Sequence, residues 1–217
     1  MIITDVIFDL GNVLVPFDWR IAVHGLLEHL PRDLAEKAGK DPKVLALAIS
    51  DIIEALEIGS INFEEFHGQV VARTGLTTDA SQFRRIWCEI FSVDVEMTRL
   101  GQLLTRRYDV WLASNTDEAH FSYIIEKFPE VLFYKKAALS YKMGIMKPDQ
   151  GYFVKALELF GIEPEQALFI DDLLENVQAA RKLGITGIQF TNYRTLLGQL
   201  AELGLQESSL PRRYSIE

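Results

Sequence analysis

The sequence predicts an α/β fold: a doubly wound parallel sheet, Rossmann-like in plan, interrupted by an inserted helical subdomain. Three observations carry this reading. An apolar strand opens the chain and stops at Asp9. From about residue 108 to 190, short apolar strands alternate with helical segments of roughly 10–13 residues, the pattern of parallel βαβ units. Between these two regions lies a block of about 75–80 residues with helical period and no convincing strand.

Ile3, Val6, Ile7 and Phe8 carry the first strand; Leu10, Gly11 and Asn12 then turn the chain, and Val13 to Val15 resume the apolar pattern. Asp9 either caps that turn, as Asp often does, or presents chemistry at the carboxyl end of a strand. In the helical block, residues 19–30 end at Pro31, 33–38 stop before Gly39, and 42–56 are stopped by Gly59. Asn62 and Glu65 have capping-box spacing; their helix runs to Thr74 and ends at Gly75, a good C-terminal stop. Residues 79–91 and 96–107 complete the block. Next come a strand over 108–113 that closes at Ser114-Asn115, a helix over 117–128, and a weaker strand over 132–137. The turn-rich run SYKMGIMKPDQ leads to Lys147, with Pro148 placed to start a helix that ends at Gly161. A strand over 167–170 ends at Asp171-Asp172, a helix over 175–183 closes at Gly184, and a last strand spans 186–190. Residues 206–217 read as a loosely held tail.

At 217 residues the chain suits one large domain, or one domain with an insertion. Its 48% apolar and 24% charged residues are what a soluble protein with a full core carries. A net charge of −9 excludes a nucleic-acid partner, which needs a basic stripe. Cys88 is the only cysteine, so no intramolecular disulfide forms, which fits a reducing compartment. No apolar run approaches the roughly 18 residues of a membrane span. The N-terminus lacks a basic region and carries Asp5 and Asp9 in its apolar stretch, unlike a signal peptide. The expectation is a cytoplasmic protein with no nucleic-acid or membrane partner, its oligomeric state open between monomer and dimer.

In a parallel sheet, Asp9, Ser114-Asn115 and Asp171-Asp172 fall on one edge, with Lys147 before a helix nearby. Three carboxylates in one crevice repel unless a cation sits among them, and hard oxygen ligands without His or Cys suit Mg²⁺. Ser114 can donate to a phosphate oxygen, the amides of the following helix add a positive dipole end, and Lys147 supplies a point charge. An ionised Asp9 can attack phosphorus directly and form an aspartyl-phosphate. The constellation asks for phosphoryl transfer.

Four motifs in this order resemble the haloacid dehalogenase superfamily over nearly the whole chain. They are Asp9-Leu10-Gly11-Asn12-Val13, Ser114 with Asn115 closing a strand, Lys147 in MKPD, and Asp171, Asp172 and Asn176 in FIDDLLEN. The resemblance implies a core domain of residues 1–15 and 98–205 and a helical C1 cap of residues 16–97. By position it implies Asp9 as nucleophile and metal ligand, Asp172 and the Gly11 carbonyl as further Mg²⁺ ligands, and Ser114 and Lys147 as phosphate holders, with Asn115 beside them as a further substrate contact. Asp171 is then a supporting ligand or a residue held just behind the metal. The substrate implied is a small phosphorylated metabolite. The family's phosphatases usually carry a second Asp, the general acid, where this chain has Gly11, and such help is worth roughly 10²–10⁴ in rate. Three consequences are open: a leaving group that needs little protonation, a proton from water or from the cap, or lost turnover. The DLGNV form is similar to phosphatases acting on sugar 1-phosphates such as glucose 1-phosphate, which favours the first. The alternative is a catalytically weakened regulatory module that binds Mg²⁺ and a phosphate ligand. Receiver domains place their acidic pair first and have no cap, and the metal-free dehalogenase branch has no use for the Asp9–Asp172 cradle.

Arg20 and Asp18, where the chain enters the cap, are candidates to read substrate hydroxyls, against ordinary hinge packing. His24, His29, His67 and His120 pair with no nucleophile and read as structural or surface residues. Cys88 reads as a cap core residue, and Arg84 and Arg85 as a solvated face.

Overall fold

Along β1 (Asp5–Phe8), Val6 and Phe8 face one side of the sheet and Ile7 the other, and all three are buried. A computed structural model describes residues 2–205 around this strand, so the tail expected from Gln206 lies outside the described residues. Five helices follow: α1 (Trp19–Leu26), α2 (Arg32–Lys40), α3 (Lys43–Glu57), α4 (Phe63–Thr74) and α5 (Ala80–Cys88). The chain returns through α6 (Val95–Leu104), β2 (Asp109–Ser114), α7 (Glu118–Lys127), β3 (Ala137–Leu139) and the single turn α8 (Ser140–Met143). It ends with α9 (Gln150–Phe160), β4 (Ala167–Asp171), α10 (Leu174–Arg181), β5 (Thr186–Gln189) and α11 (Tyr193–Glu202).

The five strands are all parallel, in the order β3-β2-β1-β4-β5. Val110, Leu112, Leu168 and Ile170 join Val6 and Phe8 on the face covered by α6, α7 and α11. Trp111, Ala113, Ala167 and Phe169 join Ile7 on the face covered by α9 and α10. Burial on both faces is why these strands read as continuous apolar runs rather than alternating ones. Asp5, the charged exception, accepts from the Trp111 indole at 2.8 Å and from the Thr4 hydroxyl at 2.6 Å. The strand order reverses direction at β1, and the crevice at its carboxyl end is where open α/β sheets bind ligands.

Helices α1–α5 enclose a separate core of Leu45, Ile49, Ile52, Phe66 and Phe83, among others, and Cys88 is buried in it. Two crossing segments tie this unit to the sheet. Asp18 N–H donates to the Ile90 carbonyl at 3.1 Å, Ser92 N–H to Pro16 at 2.8 Å, and Asp94 N–H to Leu14 at 2.9 Å. The predicted helix over 79–91 therefore stops at Cys88, because Ile90 and Phe91 leave it to pair with the outgoing chain at Phe17.

Other boundaries also moved. The strand expected over 132–137 lies at Ala137–Leu139 instead. Phe133 and Tyr134 are apolar because they pack as a loop on the core, with the Phe133 ring edge-on to Phe8. Gly39 does not stop α2, which continues to Lys40. Pro148 does not start α9; Asp149 caps it, accepting from Gly151 N–H at 2.7 Å. Helix α11 had no sequence expectation, although Asn192 caps it by accepting from Thr195 N–H and Leu196 and Leu200 are buried. The Asn62–Glu65 capping box forms as expected, and Gly75 closes α4 at φ 72°.

Candidate active site

Three parallel strands deliver their last residues to one place. Asp9 follows β1, Ser114 ends β2, and Asp171 ends β4 with Asp172 next, because Phe8 pairs in register with both Leu112 and Ile170. Ligand oxygens of Asp9, Asp171 and Asp172 lie within 4.8 Å of one another. Lys147 enters from the loop between α8 and α9, and Asn115 holds that loop. Its amide donates to the Lys147 carbonyl at 2.8 Å, and its Oδ1 accepts from Lys147 N–H at 2.9 Å. Asn115, expected to touch substrate, thus has both ends of its amide engaged in placing the lysine.

The Lys147 ammonium is fully buried and its three protons have three acceptors. They are Asp9 Oδ1 at 2.9 Å, Asp171 Oδ2 at 2.7 Å and the Ala113 carbonyl at 2.9 Å. Asp9 Oδ1 also accepts from Leu10 N–H at 2.7 Å, so both of these bonds fall on one oxygen and neither on Oδ2. Asp171 is held from several sides, by Lys147, by Leu173 N–H at 2.8 Å and by the Asn176 amide at 3.0 and 3.1 Å. Asp172 is half-buried and accepts from the Asn12 amide at 3.3 Å. That contact uses Asn12 at φ 53°, a left-handed conformation that Asn tolerates better than most residues.

Burial lifts the Asp9 carboxyl to about 7; Lys147 pulls it down and Asp171 adds to the rise. Burial and Asp171 also raise Asp172. Against its own burial, Lys147 is held above the usual lysine range by Asp9 and Asp171. Two carboxylates within 4.8 Å repel by about 3–4 kcal/mol at an effective dielectric near 20. One ammonium does not offset three such charges. A divalent cation does, and a set made of carboxylate oxygens without His or Cys fits Mg²⁺.

A cavity of about 100 Å³ adjoins this cluster, lined by Gly11, Ser114 and Asn115 from the core and by Phe17, Glu57 and His120, among others. Glu57 and His120 were not expected there. Glu57 ends α3, and nothing in the sequence near it signals a site 48 residues from Asp9 (57 − 9). Burial, then the nearby Asp117 carboxylate, push Glu57 up to about 7. What seats it is Gly59 at φ 69°, where a Cβ would stand 2.2 Å from the Tyr141 carbonyl oxygen. The end of α3 therefore lies directly on the backbone of α8. His120 Nδ1 pairs with Asp117 at 2.8 Å, and Nε2 donates to the Trp87 carbonyl at 3.0 Å. Burial alone would lower His120, but Asp117 outweighs it and keeps the imidazole above its ordinary value. A buried imidazole with both ring nitrogens engaged thus faces the cleft, the structural of the two readings offered for His120.

The amide end of α7 is partly taken up, because the buried Asp117 carboxylate caps it, accepting from His120 N–H at 2.9 Å. Arg20 is not brought to the site. Its exposed guanidinium pairs with Asp18 at 2.7 Å, and neither residue lines the cleft cavities. Asp18 instead caps α1 by accepting from Arg20 N–H. Among the remaining histidines, His67 bonds the Thr78 carbonyl and His29 meets Gln82, both within the cap unit. Burial pushes the Cys88 thiol up to about 12, so it is inert at neutral pH.

Residues 5–184 match the family described as haloacid dehalogenase-like hydrolase. A D-ribitol-5-phosphate phosphatase from Bacteroides thetaiotaomicron is 26% identical over 88% of this chain and 93% of its own. A sesquiterpene phosphatase from Aspergillus oryzae is 26% identical over 91% of this chain and 94% of its own. Among solved structures, a magnesium complex of a family enzyme from Bacteroides thetaiotaomicron is similar with a TM-score of 0.77. It is 25% identical, covering 90% of this chain and 98% of that one. No described helix is long and apolar enough to cross a membrane.

Proposed function

The chain belongs to the haloacid dehalogenase-like hydrolases, and from that premise we propose that it is a Mg²⁺-dependent phosphomonoester hydrolase working through an aspartyl-phosphate on Asp9. The observation that carries this is the cluster of Asp9, Asp171 and Asp172 around the buried Lys147 ammonium. Asp9, the Gly11 carbonyl and Asp172 would hold the metal. Asp171, already bound by Lys147, Leu173 and Asn176, would stand behind them. Bound there, Mg²⁺ supplies charge to the phosphoryl oxygens and keeps Asp9 ionised.

Ser114 and the charge of Lys147 steady the phosphoryl group. Asp9 Oδ2 attacks phosphorus, the bond from phosphorus to the ester oxygen breaks, and that oxygen takes a proton from Glu57. Water then attacks the phosphorus on Asp9 and gives its proton to the Glu57 carboxylate, releasing inorganic phosphate and restoring Asp9. Glu57 fills the role left open at Gly11, whose missing side chain has little room: a Cβ would come 3.1 Å from the Phe17 ring. A sugar 1-phosphate, with a leaving group that asks little of a proton donor, follows from Gly11 alone. With Glu57 as donor that restriction lifts, and the substrate class is the broader one of small phosphorylated metabolites. Helices α1–α5 act as the cap over the cleft, in a cytoplasmic enzyme.

The test is phosphate release from a panel of phosphomonoesters with and without Mg²⁺, beside Asp9→Asn. Turnover that requires Mg²⁺ and falls by roughly 10⁴-fold or more in the variant, as for other nucleophile deletions, is the expected result. Silence across the panel with Mg²⁺ still bound would overturn the reading in favour of a ligand-binding module.

A further inference from the structure

A second cavity, of about 190 Å³, lies inside the cap unit. Helices α1, α3 and α5 form most of its wall, with Trp19, Val23, Leu45, Ile49, Ile53 and Trp87 among the side chains that line it. It shares Phe17, Glu57, Ile90 and His120 with the smaller cavity beside the carboxylates. Those four residues stand at the junction of two adjoining spaces, one with Gly11, Ser114 and Asn115 in its wall and the other lined mainly by apolar side chains. Among the described residues, the ionisable side chains that line the cap cavity are Glu57 and His120, both at the junction. His120 has no ring nitrogen left to offer, since Asp117 and the Trp87 carbonyl engage both.

A polyol or sugar placed in this space would bury hydroxyls against Leu, Ile and Val side chains that cannot receive them, which is unfavourable. An apolar group there exchanges water for contact with the apolar wall. Protein interiors keep few voids this large, and a cavity of roughly 150 Å³ lined by Leu, Ile and Phe is known to admit a benzene ring.

We propose that the group esterified to the phosphate is apolar and fills the cap cavity, so that the substrate is the phosphomonoester of an aliphatic or single-ring alcohol of about six to eight carbons. Its phosphate sits at Asp9 and its ester oxygen beside Glu57. The proposal rests on the hydrolase reading above and names the substrate class of that site.

Alkylphosphonates from methyl to decyl, which cannot be hydrolysed at their P–C bond, test the cavity directly in the presence of Mg²⁺. Trp19 and Trp87 in the wall report binding through their fluorescence. The expected result is a Kd that falls roughly fourfold per methylene until the cavity is full and then levels. Ala46→Leu, which narrows the cavity, should move the plateau to shorter chains. Ile49→Ala, which widens it, should move the plateau to longer ones, and methylphosphonate should bind all three proteins alike. A Kd indifferent to chain length, or a plateau that neither variant shifts, overturns the proposal. Acetyl phosphate, which carries almost no organic group, reads the phosphoryl centre separately. Loss of Asp9-dependent turnover of acetyl phosphate sinks the hydrolase reading, whereas its turnover beside a flat chain-length series sinks only the apolar substrate.

Discussion

In the proposed mechanism, turnover of ordinary esters depends on Glu57. A general acid must be protonated and within hydrogen-bond reach of the leaving oxygen. Glu57 lines the same cavity as Gly11 and Ser114, and burial together with Asp117 brings it to about 7. His120 and Lys147 pull in the other direction, Glu54 adds to the rise, and Asp117 holds His120 above the ordinary histidine range. Glu57→Gln should therefore lower kcat for alkyl phosphates by roughly 10²–10⁴ while leaving acetyl phosphate within a few-fold. The sign of the pH dependence follows. Glu57 donates only when protonated, so kcat for alkyl esters should fall as pH rises through about 7. That limb should be absent in the variant and for acetyl phosphate. Equal losses on both substrate classes, with the limb unchanged, would remove Glu57 from the chemistry. Sequence alone missed this residue because its role comes from tertiary approach. It ends a cap helix in LEIGS, where a Glu ordinarily reads as a solvated surface residue.

At the scale of elements, strand ends were the legible part. Apolar runs buried on both faces give way to polar residues at their carboxyl ends, so Asp9, Ser114 and Asp171 mark that edge in the sequence itself. The failures have one cause. Apolarity at residues 132–134, the amide end of α7 and the helix at α11 depend on what packs against them, and local pattern does not carry that. The seat of α3 belongs to the same class, and it can be tested. Gly59 and Gly75 both hold left-handed conformations, at φ 69° and 72°, and both are crowded. At Gly59 the obstacle is the Tyr141 backbone oxygen; at Gly75 it is the Pro31 side chain. Gly59→Ala and Gly75→Ala should each lower stability by roughly 1–3 kcal/mol, read as a fall in Tm. Only Gly59→Ala should also depress kcat for alkyl phosphates more than for acetyl phosphate, because it lifts the end of α3 and Glu57 with it. A matching kinetic loss in Gly75→Ala would mean that general loosening, not the seat of Glu57, sets the rate.

For the whole molecule, the carboxylate cluster couples stability to pH and to metal. Asp9 at about 7 lies well above its ordinary 3.8. A carboxyl raised in the folded state binds its proton more tightly there than in the unfolded chain. It therefore stabilises the fold below about pH 4, and that contribution is lost as pH rises through about 7. Glu57, raised from 4.5 to about 7, acts with the same sign. The metal-free protein should accordingly lose Tm between about pH 4 and 7 and level off above, a direction opposite to that of a protein held by salt-bridged carboxylates with depressed pKa values. Mg²⁺ binds the ionised cluster, so its effect should grow over the same interval. At a hundred times its Kd a ligand contributes about 2.7 kcal/mol, roughly 5–10 °C in Tm for a domain of about 200 residues. Near pH 5, where Asp9 holds its proton, the gain should be much smaller. Asp9→Asn separates the two effects. Removing the lifted carboxyl should raise the metal-free Tm at pH 8 and reduce the response to Mg²⁺. Thermal melts at pH 5, 6.5 and 8 with Mg²⁺ or with EDTA measure both quantities. A Mg²⁺ response that is flat with pH would mean the three carboxylates are not the ion's ligands. A metal-free Asp9→Asn protein less stable than the wild type at pH 8 would mean that Lys147 needs Asp9 more than the acidic cluster suffers from it.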